Sequence, residues 1–474
     1  MAFKNKMLIG NKWISKKETF PVINPYNGKF LAAVPAGDSK DVSKAIETAE
    51  RTFKKFKDTP AHIRASILEK TAEIISKNAD DIARTISLES GKAITYSRAE
   101  VARSIDTFKF SAEEAKRIHG ETVPMDASSA GEKRLGFYIR LPKGVIAAIS
   151  PFNFPLNLVA HKVGPAIAAG NCVVLKPAST TPLTALKLGE IMLKAGLPAG
   201  VLNIVTGSGS RVGNPLVEDE RISMITFTGS MEVGKRIKEK SGLKFVTLEL
   251  GSNSAVVIDE GVEYKKAIPR IIVGAYYNSG QTCISVQRIY VHKSFYKKFI
   301  SDLKDEVKKI KVGNPLNNKV LYGPLIEEKE AIRVEDWISE AKKCGAKLIT
   351  GGERKKAIIS PTVLSDTSAE MKVVKDEIFA PVVSVMPFDS FDEGLSMAND
   401  SIYGLNGGVY TNKIERAIEA IKEYKVGSLM INDIPTFRVD HMPYGGVRAS
   451  GIGREGPKYA IEEMTDIKMV SISY

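Results

Sequence analysis

The stretch Asn278–Arg288, NSGQTCISVQR, isolates one cysteine, Cys283, behind a Gly-Gln-Thr run. A thiol becomes a nucleophile when a neighbour takes its proton or steadies the thiolate. Buried without such help, it is a small inert hydrophobe. VTLELGSNS places Glu249 inside an apolar run with Gly251 close behind. An unpaired carboxylate there has a raised pKa and suits a general base working near neutrality, whereas a nearby lysine would make it a structural ion pair. SPFNFP fixes Asn153 between prolines after another apolar run, where its amide is a candidate oxyanion donor. Thiolate, base and donor are together what attack on a carbonyl carbon requires. Separation along the chain leaves their separation in space open.

Several turns have the composition of phosphate cradles. TGSGSRVG carries Gly207, Gly209 and Gly213, close to the dinucleotide fingerprint but without its later acidic residue. ITFTGSMEVG reads as a strand, the turn Gly229-Ser230, and a helix starting near Met231. Its backbone N–H groups and dipole suit a phosphate, and the plain alternative is Ser230 as a helix cap. VVLKPAST sets Lys176 at the end of an apolar strand, facing either ribose and phosphate oxygens or solvent.

The elements that must hold these residues are legible from periodicity. Residues 42–118 show apolar positions at three- and four-residue spacing, which predicts helices. ETVPMDASSAGEKRLGFYIRLPKG breaks that pattern and predicts a projecting hairpin. From residue 144 short apolar runs alternate with helical segments: GVIAAIS, NCVVLKP, VLNIVTG, SMITFTG, FVTLELG, and then a second series from about 254 to 450. Such alternation predicts an α/β fold with parallel sheets wound by right-handed crossovers. Ligands bind beyond the carboxyl ends of such strands, which is where Asn153, Lys176, Gly229, Ser230 and Glu249 fall. The tail IKMVSISY reads as a terminal strand.

The 474 residues, 43% hydrophobic and 26% charged, call for two or three lobes. Three scattered cysteines and five histidines make neither a disulfide framework nor a structural metal site. The net charge of +13 is spread over Lys/Glu-mixed helical surfaces, so no nucleic-acid stripe is expected. With no signal-like start and no apolar span, the expectation is a cytoplasmic protein without a membrane partner.

Taken in order, SPFNFPLNL, AIAAGNCVVLKP, GLPAGVLNIVTG, TFTGS, LELG, GQTC, EIFAPV, YGLNGGVYT and MPYGGVRASGIGREG resemble the aldehyde dehydrogenase superfamily over nearly the whole chain. The resemblance implies a Rossmann-like NAD(P)-binding domain (1–120 and 141–250), an α/β catalytic domain (251–450) and a small β oligomerisation flap (121–140 and 457–474) of a homodimer or homotetramer. It implies Cys283 as the thiol that forms a thiohemiacetal and then a thioester. Asn153 and the Cys283 N–H match the oxyanion hole, and Glu249 the base that hydrolyses the thioester. Lys176 and Ser179, the glycines Gly209, Gly213, Gly229 and Gly251, Ser230, and the pair Glu377 and Phe379 are implied cofactor contacts. Ser252 stands where many members have a second glycine, and Ala380 where Gly is commoner.

Members strict for NAD commonly carry a glutamate where this chain has Ser179, so NADP is expected to be preferred, with NAD the alternative. Arg438, His441, Arg103, Phe154 and Thr282 are implied substrate neighbours. An arginine fork suits a carboxylate or phosphate, and the structural alternative pairs Arg438 with Asp440 or Glu455. Relatives acting on phosphate or phosphonate often have arginine where Thr282 stands. A lactaldehyde-type or semialdehyde substrate is therefore expected ahead of glyceraldehyde 3-phosphate or phosphonoacetaldehyde. A cysteine-dependent esterase or acyl transferase without redox chemistry, and a non-catalytic protein on this fold, are the readings of other classes.

Overall fold

The computed structural model describes residues 5–474. Its first sheet has eight strands in the order Lys12–Ile14, Met7–Ile9, Leu202–Ile204, Cys172–Lys176, Val145–Ile149, Met224–Thr228, Phe245–Glu249 and Gly451–Ile452. The central strands are parallel, and antiparallel partners close both edges. Val145–Ile149, Cys172–Lys176 and Met224–Thr228 are buried at every position, because helices cover both faces. That is why they read as unbroken apolar runs and not as alternating ones.

Register decides what stands at the rim. Ile149 pairs with Lys176, Phe227 with Ile149, and Thr228 with Glu249. The carboxyl ends of four strands therefore finish level, and Lys176 and Glu249 stand on one rim.

The second sheet has seven strands, in the order Lys347–Thr350, Thr362–Ser365, Val382–Phe388, Arg288–His292, Ala255–Ile258, Asn406–Tyr410 and Ser428–Ile431. All its pairs are parallel except the antiparallel edge pair of Lys347–Thr350 with Thr362–Ser365. Residues 42–118 are helical as expected, in helices Ser39–Phe56, Ala61–Lys77, Ala79–Ser90 and Ile94–Ala115.

The segment read as a hairpin is lopsided. Only Thr122–Val123 and Arg134–Pro142 are strands, with two short helical turns between them. The long strand instead pairs along its whole length with the tail strand Thr465–Ser473, from Thr465↔Pro142 to Ser473↔Arg134.

Candidate active site

Asn153 sits in the loop between the strand Val145–Ile149 and the helix Asn157–Ala169. Glu100 holds the start of that helix, accepting the N–H groups of Leu156 at 2.9 Å and Asn157 at 3.2 Å. Its other oxygen takes the fully buried Lys92 ammonium. Three successive left-handed residues, Asn278, Ser279 and Gly280, shape the turn before Cys283. Gly280 is required there: a Cβ would meet the Ala380 carbonyl oxygen at 2.2 Å. This fold-back lets Asn153 Nδ2 donate to the Gln281 carbonyl at 3.0 Å, while Asn278 Nδ2 donates to the same carbonyl at 3.2 Å.

Cys283 and Glu249 open onto one cavity of about 550 Å³, with Asn153, Lys176, Gly209, Gly213, Gly229, Ser230, Gly251, Glu377 and Phe379 also on its walls. The Cys283 side chain is half-buried, and burial pushes its thiol up to about 12. Glu249 is 2% exposed, and neither of its oxygens has a hydrogen-bond partner. Burial, followed by the charge of Glu455, raises its carboxyl well above the usual range. This is the unpaired alternative of the two readings: among the described residues Glu249 makes no ion pair. Of the two amide hydrogens on Asn153, one goes to Gln281 and the other has no acceptor among the described residues. A thiol, an unpaired carboxyl and a spare amide hydrogen on one cavity can attack a carbonyl carbon, receive the oxyanion and deprotonate a water.

The rest of the cavity fits a dinucleotide. Space is open where a Cβ would stand at Gly209. Ser230 caps the helix Met231–Lys240, its hydroxyl accepting the Val233 N–H at 3.4 Å, so the turn is both a cap and an open N-terminus. Burial lowers Lys176 to about 8, and among the described residues its ammonium reaches only the Pro177 carbonyl, at 3.3 Å. Glu377 accepts the Ser252 N–H at 2.9 Å, and burial raises its carboxyl to about 7. Gly251 permits that approach, since a Cβ there would lie 2.2 Å from Glu377 Oε2. Phe379 takes a strained φ of 50° and meets Phe152 edge-on at 6.0 Å. Ser252 Oγ turns to Ser254 Oγ at 3.1 Å, adding a local bond to the turn beneath Glu249. Ser179 is the exception: its hydroxyl donates to the Gly207 carbonyl at 2.9 Å, so the expected donor to a 2′-phosphate is already engaged.

The expected arginine fork is not free. Arg103 forms a bidentate pair with Asp440 at 3.0 and 2.8 Å. Arg438 is buried and donates to Glu455 at 3.2 Å, the structural alternative, while its guanidinium lies 3.6 Å from the centre of the Tyr444 ring. Both arginines belong to a network centred on the buried carboxylates of Asp440 and Glu455. Burial alone would raise the Asp440 carboxyl, but the His161 hydrogen bond and the charges of His161 and Arg103 hold it far below the usual range. Glu455 takes Lys162 at 3.0 Å, and Lys162 donates to Thr228 at 2.7 Å. His441 is exposed against Phe110 at 4.9 Å and does not line the cavity. Phe154 is buried beneath the Lys92 ammonium, 3.8 Å from its ring centre. The Thr282 hydroxyl is buried beside Cys283 without a partner.

Sequence reasoning named Glu455 only as a partner for Arg438, and it passed over Lys162 and Tyr444, whose hydroxyl lies 3.0 Å from Cys283 Sγ. Tyr444 stands inside the motif MPYGGVRASGIGREG, and nothing but its presence there marked it. Among the described residues no group of His, Cys, Asp or Glu could hold a metal ion, and no helix is long and apolar enough to cross a membrane.

Comparison with known proteins agrees with this geometry. The model of the aldehyde dehydrogenase family matches residues 13–470. A 3-sulfolactaldehyde dehydrogenase of Priestia aryabhattai is 45% identical over 467 residues, 98% of each chain. Aldehyde dehydrogenase 21 of Physcomitrella patens, solved with its reaction product succinate, has a TM-score of 0.96 at 40% identity, covering 99% of this chain and 98% of its own. The glyceraldehyde-3-phosphate dehydrogenase GapN of Methanocaldococcus jannaschii, solved with NADP, has a TM-score of 0.94 at 39% identity, covering 97% of this chain and all of its own.

Proposed function

The chain belongs to the aldehyde dehydrogenase family, and from that premise we propose that it oxidises a small polar or anionic aldehyde, of lactaldehyde or semialdehyde type, to its acid with NADP or NAD. One observation carries the reading: the Cys283 thiol and the partnerless Glu249 carboxyl share a single cavity. The Cys283 sulfur attacks the aldehyde carbon, and the carbonyl electron pair moves to an oxygen held by the Asn153 amide and the Cys283 N–H. When bound, the nicotinamide supplies the acceptor for the two electrons that leave the aldehyde. Glu249 then takes a proton from water, which attacks the Cys283 thioester and releases the acid. Lys176, Gly229, Ser230, Glu377 and Phe379 are the residues that would hold the cofactor.

For NADP the support is the absence of a carboxylate at Ser179, together with the cationic Lys176 beside it. Ser179 itself contributes little as a donor, since its hydrogen goes to Gly207. For the substrate, the relatives named for sulfolactaldehyde and crystallised with succinate support an anionic or hydroxylated group. Arg438 and Arg103 could offer such a group only the N–H donors not already given to Glu455 and Asp440.

The three-domain division at 1–120 and 141–250, 251–450, and 121–140 and 457–474 belongs to the same proposal. So does a homodimer or homotetramer, supported by the unpaired outer edge of Thr465–Ser473 and its exposed Ile467, Met469 and Ile472. A cytoplasmic location is supported by the need to keep the Cys283 thiol reduced. The test is an aldehyde panel with each cofactor in turn, including lactaldehyde, succinate semialdehyde and glyceraldehyde 3-phosphate. Absence of NAD(P)H formation with every member would overturn the reading.

A further inference from the structure

We propose that Tyr444 is a further catalytic residue of this site, its phenol hydroxyl holding the Cys283 sulfur in the thiolate state. This rests on Cys283 being the nucleophile. Tyr444 Oη lies 3.0 Å from Cys283 Sγ, and among the described residues it hydrogen-bonds nothing else. The residue is 1% exposed, so bulk solvent does not compete for the hydroxyl. Either atom can donate while the sulfur carries its proton. Once the sulfur is ionised only the phenol can, and an O–H donor to an anion is the stronger bond.

The ring cannot swing away. Arg438 covers one face at 3.6 Å, and Glu455 anchors Arg438 at 3.2 Å. Tyr444 and Glu455 are tied through their backbones in both directions, at 3.1 and 2.6 Å. Ile284 and Leu405 pack beside the ring. The arginine therefore steadies the phenol and also places a positive charge near the sulfur. Burial raises the Tyr444 phenol well above its usual range, so it remains a donor throughout. Against the burial that raises the Cys283 thiol, the Tyr444 hydrogen bond is the largest opposing influence and the Arg438 charge the next.

On ionisation the S–H bond breaks and its proton passes to solvent through the cavity onto which Cys283 opens; Tyr444 keeps its own proton and turns it to the sulfur. On attack the S–C bond forms, the carbonyl π pair goes to oxygen, and the phenol loses its charged acceptor. The hydroxyl thus raises the thiolate fraction while lowering the reactivity of each thiolate.

That double effect gives a signature. The rate of Cys283 alkylation by iodoacetamide is followed against pH in wild type and Tyr444→Phe, without aldehyde or cofactor. Cys283→Ala supplies the background from Cys172 and Cys344. The variant's midpoint should move up by about one to two pH units, the worth of a hydrogen bond to a charged group. At neutral pH that is a loss of about 10- to 100-fold in rate, while the alkaline plateau stays equal or rises. An unchanged midpoint in a variant with wild-type unfolding and cofactor binding would overturn the proposal. A loss confined to turnover of 2-hydroxyaldehydes, with the midpoint unmoved, would also overturn it and make the hydroxyl a substrate contact. If the midpoint moves but wild type oxidises no aldehyde, the role of Tyr444 stands and the dehydrogenase reading falls.

Discussion

Glu249→Gln separates the two halves of the reaction. Both Glu249 oxygens lack partners, so an amide of the same size forfeits no hydrogen bond. The change also removes a carboxyl whose pKa burial raises well above 4.5. In the folded wild type this group holds its proton at pH values where the unfolded chain has released it. The folded state therefore binds more protons above the ordinary carboxyl value of 4.5, and wild-type stability falls as pH rises through that window. The variant should match wild type at acid pH and be the more stable of the two in alkali. Losses in rate are then chemical. A positioned general base contributes about 10²- to 10⁴-fold, or about 2.7–5.4 kcal/mol of barrier. That deficit should fall on thioester hydrolysis alone. Rapid mixing with aldehyde and cofactor should give a burst of NAD(P)H close to one per Cys283, followed by a steady state reduced by that factor. A first turnover slowed as much as the steady state would refute the assignment, because Glu249 would then act before the thioester exists.

Replacing Cys283 with Ala should abolish aldehyde oxidation while leaving equilibrium binding of the cofactor intact. In the proposed cofactor site Ser179→Glu would set a carboxylate beside the adenosine ribose, and like charges brought together cost several kcal/mol. The kcat/KM for NADP should fall at least about tenfold, with NAD much less affected. Glu100→Ala leaves the buried Lys92 unpaired and strips the Leu156 and Asn157 N–H groups of their acceptor. Breaking such a pair costs about 3–5 kcal/mol, readable by denaturant unfolding.

The sequence was most legible where local chemistry and burial agree. Strands covered on both faces read as apolar runs, so the residues just beyond them, Asn153, Lys176, Gly229 and Glu249, could be picked out before any coordinates. Partners set by tertiary contact were not legible. Arg103 and Asp440 are 337 positions apart, and no periodicity reports that they meet. The arginines looked free for the same reason. The hairpin was misdrawn because the long strand Arg134–Pro142 takes most of its hydrogen bonds from the tail and few from its neighbour in sequence.

That late pairing sets an order of events during synthesis. Arg140 and Thr465, which hydrogen-bond across this sheet, are separated by 325 residues. As the chain leaves the ribosome, one edge of Arg134–Pro142 stays open until the tail strand emerges, and that strand carries Leu135 and Ile139, which stay exposed even in the finished sheet. An open apolar edge invites pairing with another chain. A chain stalled or cut before Thr465 would therefore hold every residue proposed for catalysis and still be prone to stick to its neighbours.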